Sequence, residues 1–227
     1  MVAEKFFKIH CLVALLLIAL PASGDPYIHF DINHPIQALD IVARYLPENP
    51  VILEAGAYDG SESIVMSNKW SAATIYTFEP VPSLYNKLVL KTQNFPRIHT
   101  YQLALSDKIG SAQFYLSTAP WVSNEVSQSS SLLAPKDHLV HAPGVHFDNI
   151  INVLTTTIDA WAQEQKVNNI DLLWLDMQGY ELQALKAAPK ILKTVKAILT
   201  EVEFVEAYKD QPLYEEVKNG LKSRVLR

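Results

Sequence analysis

Val51-Ile-Leu-Glu-Ala-Gly-Ala-Tyr-Asp-Gly60, followed after an amphipathic stretch by Thr74-Ile-Tyr-Thr-Phe-Glu79-Pro80, decides how this chain is read. The apolar run Val51 to Leu53 predicts a buried strand, because strands covered on both faces read as continuous apolar runs rather than alternating ones. Ala55, Gly56, Ala57 and Gly60 keep the following turn small enough for backbone to approach a ligand closely, and Ser61 is the expected cap of the next helix. Glu79 closes the second apolar run, roughly 20 residues beyond the glycine turn, where an acidic side chain at a strand tip accepts both hydroxyl protons of an adenosine ribose. The two strands together predict a nucleotide site.

The spacing of small residues selects among nucleotides. A dinucleotide fingerprint places glycine at the first, third and sixth positions, so that amides and a helix N-terminus cradle a pyrophosphate. Counted from Gly56, this chain has Tyr58 and Ser61 at the later two places. Bulky Tyr58 and acidic Asp59 both disfavour a doubly charged pyrophosphate, whereas a cation with an amino-acid tail, the charge pattern of S-adenosylmethionine, tolerates them. No G-x-x-x-x-G-K-[ST] string occurs, so a phosphate loop for ATP or GTP is unsupported.

Composition excludes several classes. With 227 residues, 49% hydrophobic and 19% charged, the chain can bury a substantial core as one or at most two domains. A net charge of -5 without any basic run argues against a nucleic-acid partner. Lys186, Lys190, Lys193 and Lys196 recur at helical spacing and read as a solvated helix face. Cys11 is the only cysteine, so neither an internal disulfide nor a thiolate metal site is expected.

The N-terminus reads as an export signal. Lys5 and Lys8 precede the apolar run Cys11 to Leu20, and Pro21-Ala-Ser-Gly24 then offers small residues for cleavage before Asp25. Ten apolar residues are too few to span a bilayer comfortably. Residues 1–24 are therefore expected to be a signal peptide or short anchor, and residues 25–227 a single domain. An exported or membrane-associated protein is expected if that signal is used, with membrane contact only through it, and a cytoplasmic one otherwise.

Beyond it, strand and helix patterns alternate. Pro35 to Leu46 carries a helical stripe, Ser61 to Trp70 and Pro82 to Gln93 suit crossover helices, and Ile98 to Leu105 reads as a third strand. Ala112 to Leu116, after the Lys108-Ile-Gly110 turn, is expected to pair with it as a hairpin. Ser117 to Ile150 breaks the rhythm as a long irregular insertion of the kind that covers an active site or is merely mobile. Strands over Ile151 to Thr156, Ile170 to Leu175 and Ala197 to Val202 alternate with helices over Ile158 to Gln165 and Tyr180 to Leu192. The repetition predicts an α/β doubly wound, mostly parallel sheet, with ligands at the carboxyl ends of its strands. Glu79, Asp107, Asp176, Glu201 and Glu203 all fall near such ends.

Glu-Ala-Gly-Ala-Tyr-Asp-Gly60, Phe78-Glu-Pro-Val-Pro82, Ala104-Leu-Ser-Asp107, Ser129-Ser-Ser131, Thr157-Ile-Asp159 and Leu175-Asp-Met-Gln-Gly-Tyr-Glu181 resemble, in order, the blocks of the FkbM-like S-adenosylmethionine-dependent methyltransferases. The resemblance covers about residues 50–206. It implies a Rossmann-like class I methyltransferase fold and methylation of a hydroxyl on a sugar, glycolipid or secondary metabolite, so the partner is a small-molecule or glycan acceptor. By the same resemblance, Glu54, Gly56, Asp59 and Gly60 face the methionine half of the cofactor, Glu79 its ribose, and Leu105 with its neighbours through Asp107 its adenine. Asp176 stands at the methyl-transfer end, as base or as orienter of the acceptor, and His138, one of three histidines in the insertion with His141 and His146, is the other candidate base. No metal is expected.

Two departures mark this chain. The commonest family block carries lysine two residues before the aspartate and glutamate two after it, where Trp174 and Gln178 stand here. The chain also ends at Arg227, with Tyr214 to Leu221 as a final helix, so the sheet is expected to lack its last strand pair. Three classes follow: an O-methyltransferase, a catalytically impaired nucleotide-binding module of the same fold, and a nicotinamide-dependent oxidoreductase, against which Tyr58 and the missing middle glycine count.

Overall fold

The strand Val51–Ala55 (β3) and the strand Leu172–Leu175 (β9) lie side by side in parallel, and everything that builds the site hangs from their carboxyl ends. The computed structural model describes residues 13–18, 27–31, 36–122 and 126–225. Along β3, Ile52 packs into one apolar cluster and Leu53 into another. Along β9, Leu172 and Trp174 share the cluster of Ile52, while Leu173 and Leu175 share that of Leu53. Successive side chains leave opposite faces of a strand, so an unbroken apolar run is what a sheet covered on both sides requires.

From β3 the chain moves outward through helix α2 (Ser61–Lys69), strand β4 (Thr74–Phe78), helix α3 (Pro82–Thr92) and strand β5 (Ile98–Tyr101), with β4 and β5 adding in parallel. It later returns to the other side of β3 with β9 and strand β10 (Ala197–Val202), again in parallel. The direction of winding reverses between β3 and β9, and a crevice opens there at the carboxyl ends. One face is covered by helix α1 (Ile36–Val42) and α2, through Leu39, Met66 and Trp70. The other carries helix α5 (Ile158–Gln165), whose Trp161 meets Tyr76, Phe78 and Tyr101 edge-on at centroid distances of 4.9, 5.1 and 5.4 Å. Such geometry sets ring edges against ring faces.

Four expectations change. Ile98 to Leu105 is not one strand: after β5 the chain turns and Ala104–Leu105 (β6) joins a second sheet, in the order β6, β8 (His146–Thr156), β7 (Gly110–Thr118). The hairpin partner of β7 is therefore β8, in antiparallel register from Gly110 opposite Thr155, and not the strand before it. Long β7 and β8 also shorten the irregular insertion to residues 119–145, which includes helix α4 (His138–His141). Helix Tyr180 to Leu192 is broken into α6 (Glu181–Lys186) and a separate turn of 3-10 helix, Ile191–Lys193.

The sheet edge beyond β10 is not left open. Strands β1 (Val13–Ile18) and β2 (Tyr27–Asp31) extend it antiparallel, with Val13 opposite Val202 and Ile18 opposite Ala197, giving the order β2-β1-β10-β9-β3-β4-β5. Among the described residues no strand follows β10; the chain ends in helix α7 (Tyr214–Val225). The expected shortfall of two edge strands is thus made up from the N-terminal side, and β1 comes from the same apolar run that reads as an export signal. No helix among the described residues is long and apolar enough to cross a membrane. A chain cut before Asp25 lacks β1 and exposes the row of unpaired amides and carbonyls on β10. Deleting residues 1–24 is expected to cause self-association, visible as larger species in size-exclusion chromatography at concentrations where the full chain shows none. An unchanged elution size would show that β10 does not depend on β1 for cover.

Candidate functional site

The crevice between β3 and β9 opens into a cavity of about 1140 Å³, counting its mouth. Its floor is tight. Asp176 N donates to Ala55 O at 3.0 Å, and Gly56, at φ +83°, presses its Cα against the Asp176 carbonyl so closely that a Cβ would stand 1.7 Å from that oxygen. The room left by the missing side chain is therefore filled by neighbouring backbone and not by a ligand, which corrects the sequence reading of Gly56, although its backbone still borders the cavity.

Glu79 lines one end. Its Oε2 accepts from Tyr58 N at 3.0 Å and its Oε1 from Val81 N at 2.8 Å, so one carboxylate ties the glycine turn to the start of α3. A carboxylate oxygen has two acceptor directions, so each keeps one for a ligand hydroxyl. Beside it, Val81, Leu84, Leu105 and Phe114 make an apolar wall. Leu105, expected beside adenine, is part of this wall; Phe114, brought in like it from the second sheet, carried no local signal.

The other end is acidic. Asp176, just past β9, and Glu201, within β10, both border the cavity, and Gln178 Nε2 donates to Asp176 Oδ1 and to Glu201 Oε2, each at 2.8 Å. Tyr208 OH, at 2.9 Å from Gln178 Oε1 and 2.7 Å from Ser129 O, holds that amide from behind. Burial, then the charge of Asp176, holds the Glu201 carboxyl well above the usual range. Desolvation by the surrounding protein raises Asp176 as well, although its side chain stays exposed to the open cavity, while hydrogen bonds from Gln178 and Glu201 pull it back. Two carboxyl groups this close keep one proton between them in the neutral range, so Glu201 retains it and Asp176 is the group able to accept another.

Glu54 and Glu62 complete the acidic lining. Glu54, 1% exposed, accepts from Ser63 Oγ and from Thr77 Oγ1, the latter at 2.9 Å. Burial pushes Glu54 and Glu79 each up to about 8. Folded-state values above the ordinary 4.5 mean that the folded chain binds these protons more tightly than the unfolded one. Their contribution to stability is then complete below the unfolded value and is lost as pH rises through about 8. The melting temperature is expected to fall by about 5 °C or more between pH 6 and pH 9, and Glu54→Gln to flatten that slope. A melting curve independent of pH over this range would contradict it.

Other residues expected at the site turn away from it. Asp59 accepts from Ser61 N at 3.0 Å and Ser61 Oγ at 2.6 Å and pairs with Lys91 at 2.7 Å, so its carboxylate caps α2 in place of Ser61 and lies outside the cavity. Gly60, at φ +82°, packs on α3, where a Cβ would meet Leu88 Cδ1 at 2.6 Å. Ala57 and Asp107 are likewise not in the lining; Asp107 accepts from Tyr180 OH at 2.9 Å on the exposed side. His138 is 2% exposed, packed between the rings of Phe147 and Tyr208 at centroid distances of 5.2 Å, one layer behind the cavity wall. An imidazole enclosed there cannot reach an acceptor, which leaves Asp176 as the candidate base.

The irregular insertion supplies Ser127, Gln128, Ser130 and Leu132 to the wall. It is pinned, not loose: Ser117 Oγ meets Ser127 Oγ at 2.6 Å and Ser130 Oγ at 3.0 Å, and Ser131 Oγ donates to Gln178 O at 2.8 Å. Among the described residues no group of three or more His, Cys, Asp or Glu side chains is arranged to hold a metal ion.

The chain is 32% identical over 175 residues to the 2-O-methyltransferase NoeI of Sinorhizobium fredii, an alignment covering 77% of this chain and 70% of that protein. It is 23% identical over 173 residues to the hexuronic acid methyltransferase AglP of Haloferax volcanii, covering 76% of this chain and 64% of that one. Among solved structures, a chain of the fibrillarin/Nop5p complex superposes with a TM-score of 0.45 at 16% identity, over 90% of this chain and 75% of the other. The model of the methyltransferase FkbM domain matches residues 54–225, and the chain belongs to that family.

Proposed function

We propose that the chain is an S-adenosylmethionine-dependent O-methyltransferase acting on a sugar hydroxyl. The observation that carries this reading is one cavity with the diol-accepting Glu79 at one end and the Asp176–Glu201 pair, bridged by Gln178, at the other. The residues fit the cofactor. Glu79 matches a ribose diol, Leu84, Leu105 and Phe114 suit an adenine face, and the carboxylates near Gly56 suit a cation with an ammonium group. S-adenosylmethionine, when bound, supplies a methyl group activated by its sulfonium. The chain then has to hold the acceptor oxygen in line and take its proton. Asp176 takes that proton, Gln178 orients its carboxylate, and Glu201, already protonated, keeps the pair from carrying two charges. Because burial raises the pair, turnover rises with pH above the ordinary carboxylate range.

A nicotinamide cofactor is disfavoured by the amides it would need. Asp59 occupies the first amide of α2, and Glu79 those of Tyr58 and Val81. These three amides are therefore not offered to a pyrophosphate.

Isothermal titration of the full chain with S-adenosylhomocysteine and with NAD, followed by methyl-transfer assays, tests the reading. Asp176→Asn is expected to lower turnover by about 10² to 10⁴-fold while leaving S-adenosylhomocysteine affinity within a few-fold. Binding of NAD without S-adenosylhomocysteine would overturn the proposal, and full activity of Asp176→Asn would remove the base.

A further inference from the structure

We infer that the acceptor taken by this cavity carries no anionic group: it is a neutral or amino-bearing sugar, presented by its hydroxyls, and not a uronate or a phosphosugar. The inference rests on the O-methyltransferase reading and narrows its substrate class. Recognition of an anion in a cavity needs a cation or a set of uncommitted backbone amides. The described lining has five acidic side chains, Glu54, Glu62, Glu79, Asp176 and Glu201, and no lysine, arginine or histidine.

The amides around the cavity are committed as well. Glu79 takes those of Tyr58 and Val81, Asp59 that of Ser61 at the start of α2, and Glu181 those of Met177 and Gly179 at 2.7 and 3.3 Å. Five amides that could hold a phosphate or carboxylate are thus taken by the chain's own carboxylates. Cations on the surrounding elements are engaged too: Lys91 by Asp59 and Lys136 by Glu206.

What the wall offers instead are groups for hydroxyls. Ser127, Ser130 and Gln128 can both donate and accept, and Asp176 and Glu201 accept from a hydroxyl or an ammonium. An anionic ring substituent brought here loses its hydration and meets acidic groups, Asp176 among them, with no cation to offset it, which discriminates against it more strongly than a missing contact does.

The test uses the full chain and radiolabelled S-adenosylmethionine with three methyl glycosides of one ring: the neutral hexose, its uronate and its amino sugar. Turnover per concentration is expected to favour the neutral and amino forms over the uronate by on the order of 100-fold. Gln128→Lys, which places one cation on the wall, is expected to narrow that ratio by roughly tenfold. A uronate methylated within about threefold of the neutral sugar, or a ratio that Gln128→Lys leaves unmoved, overturns the inference. Methylation of none of the three by protein that still binds S-adenosylhomocysteine overturns the acceptor class and spares the cofactor reading. Absence of S-adenosylhomocysteine binding sinks the parent proposal itself.

Discussion

Replacement of Glu79 by alanine is expected to weaken S-adenosylhomocysteine binding by on the order of 100-fold or more and to lower the melting temperature at the same time. The double effect follows from the two roles of one carboxylate. Toward the cavity it is the acceptor for a ribose diol; toward the protein it satisfies Tyr58 N and Val81 N. Loss of the two bonds to a diol costs about 2 to 3 kcal/mol of binding at neutral pH, and more once pH rises through about 8 and the carboxyl ionises. Two amides left without their acceptor add a stability cost of about 1 to 3 kcal/mol each. Glu79→Gln separates the two roles, because its single carbonyl oxygen can serve only one amide and its NH₂ opposes the other. It should recover part of the stability and little of the affinity. Titration calorimetry and thermal melts on all three proteins decide the matter, and unchanged affinity in a folded Glu79→Ala protein would remove Glu79 from the cofactor site.

Gly56→Ala should be the most destabilising single methyl in the chain. The added Cβ would stand 1.7 Å from the Asp176 carbonyl oxygen, and the backbone there sits at φ +83°. The obstacle is backbone shared with the parallel pairing of β3 and β9, so no side chain can move aside. A loss above about 4 kcal/mol in urea unfolding is expected, beyond the usual range for point substitutions. Gly110→Ala is the control, since Gly110 also has positive φ but nothing within 4 Å of its Cβ position. Backbone strain alone costs about 1 to 3 kcal/mol there. Equal losses at the two positions would show that conformation, not contact with Asp176, sets the requirement for glycine.

Much of the fold is legible in local pattern. Val51–Ala55, Thr74–Phe78 and Ala197–Val202 are strands within the bounds their apolar runs predict, and Ile158–Gln165 is a helix as its period predicts. Glu79 and Asp176 line the cavity because strand ends converge in a doubly wound sheet, a consequence of strand order that alternation alone implies, whereas Leu105 reaches it from the second sheet. Small residues and acids were harder to assign. Gly56 and Gly60 are glycines for packing reasons as much as for a ligand, and the contacts responsible, Asp176 O and Leu88, lie far along the chain. Asp59 reads like a cofactor ligand, yet its nearest donors are Ser61 and Lys91, and short-range capping claims it first.

The sequence by itself determined the class of the molecule: a two-faced parallel sheet, a glycine turn unsuited to pyrophosphate, and an acid at the tip of the next strand. Each is a property of residues near one another in the chain, where periodicity and turn chemistry act. Only the tertiary structure decided that Ile98 to Leu105 divides between two sheets, that β7 pairs with β8, that Val13–Ile18 covers β10, that His138 is walled off by Phe147 and Tyr208, and that Gln178 joins Asp176 to Glu201. These are choices of partner among distant segments. A strand's own residues specify which of its faces is apolar, but not which edge it meets, and a buried carboxylate or imidazole acquires its role from neighbours that only the folded chain brings to it.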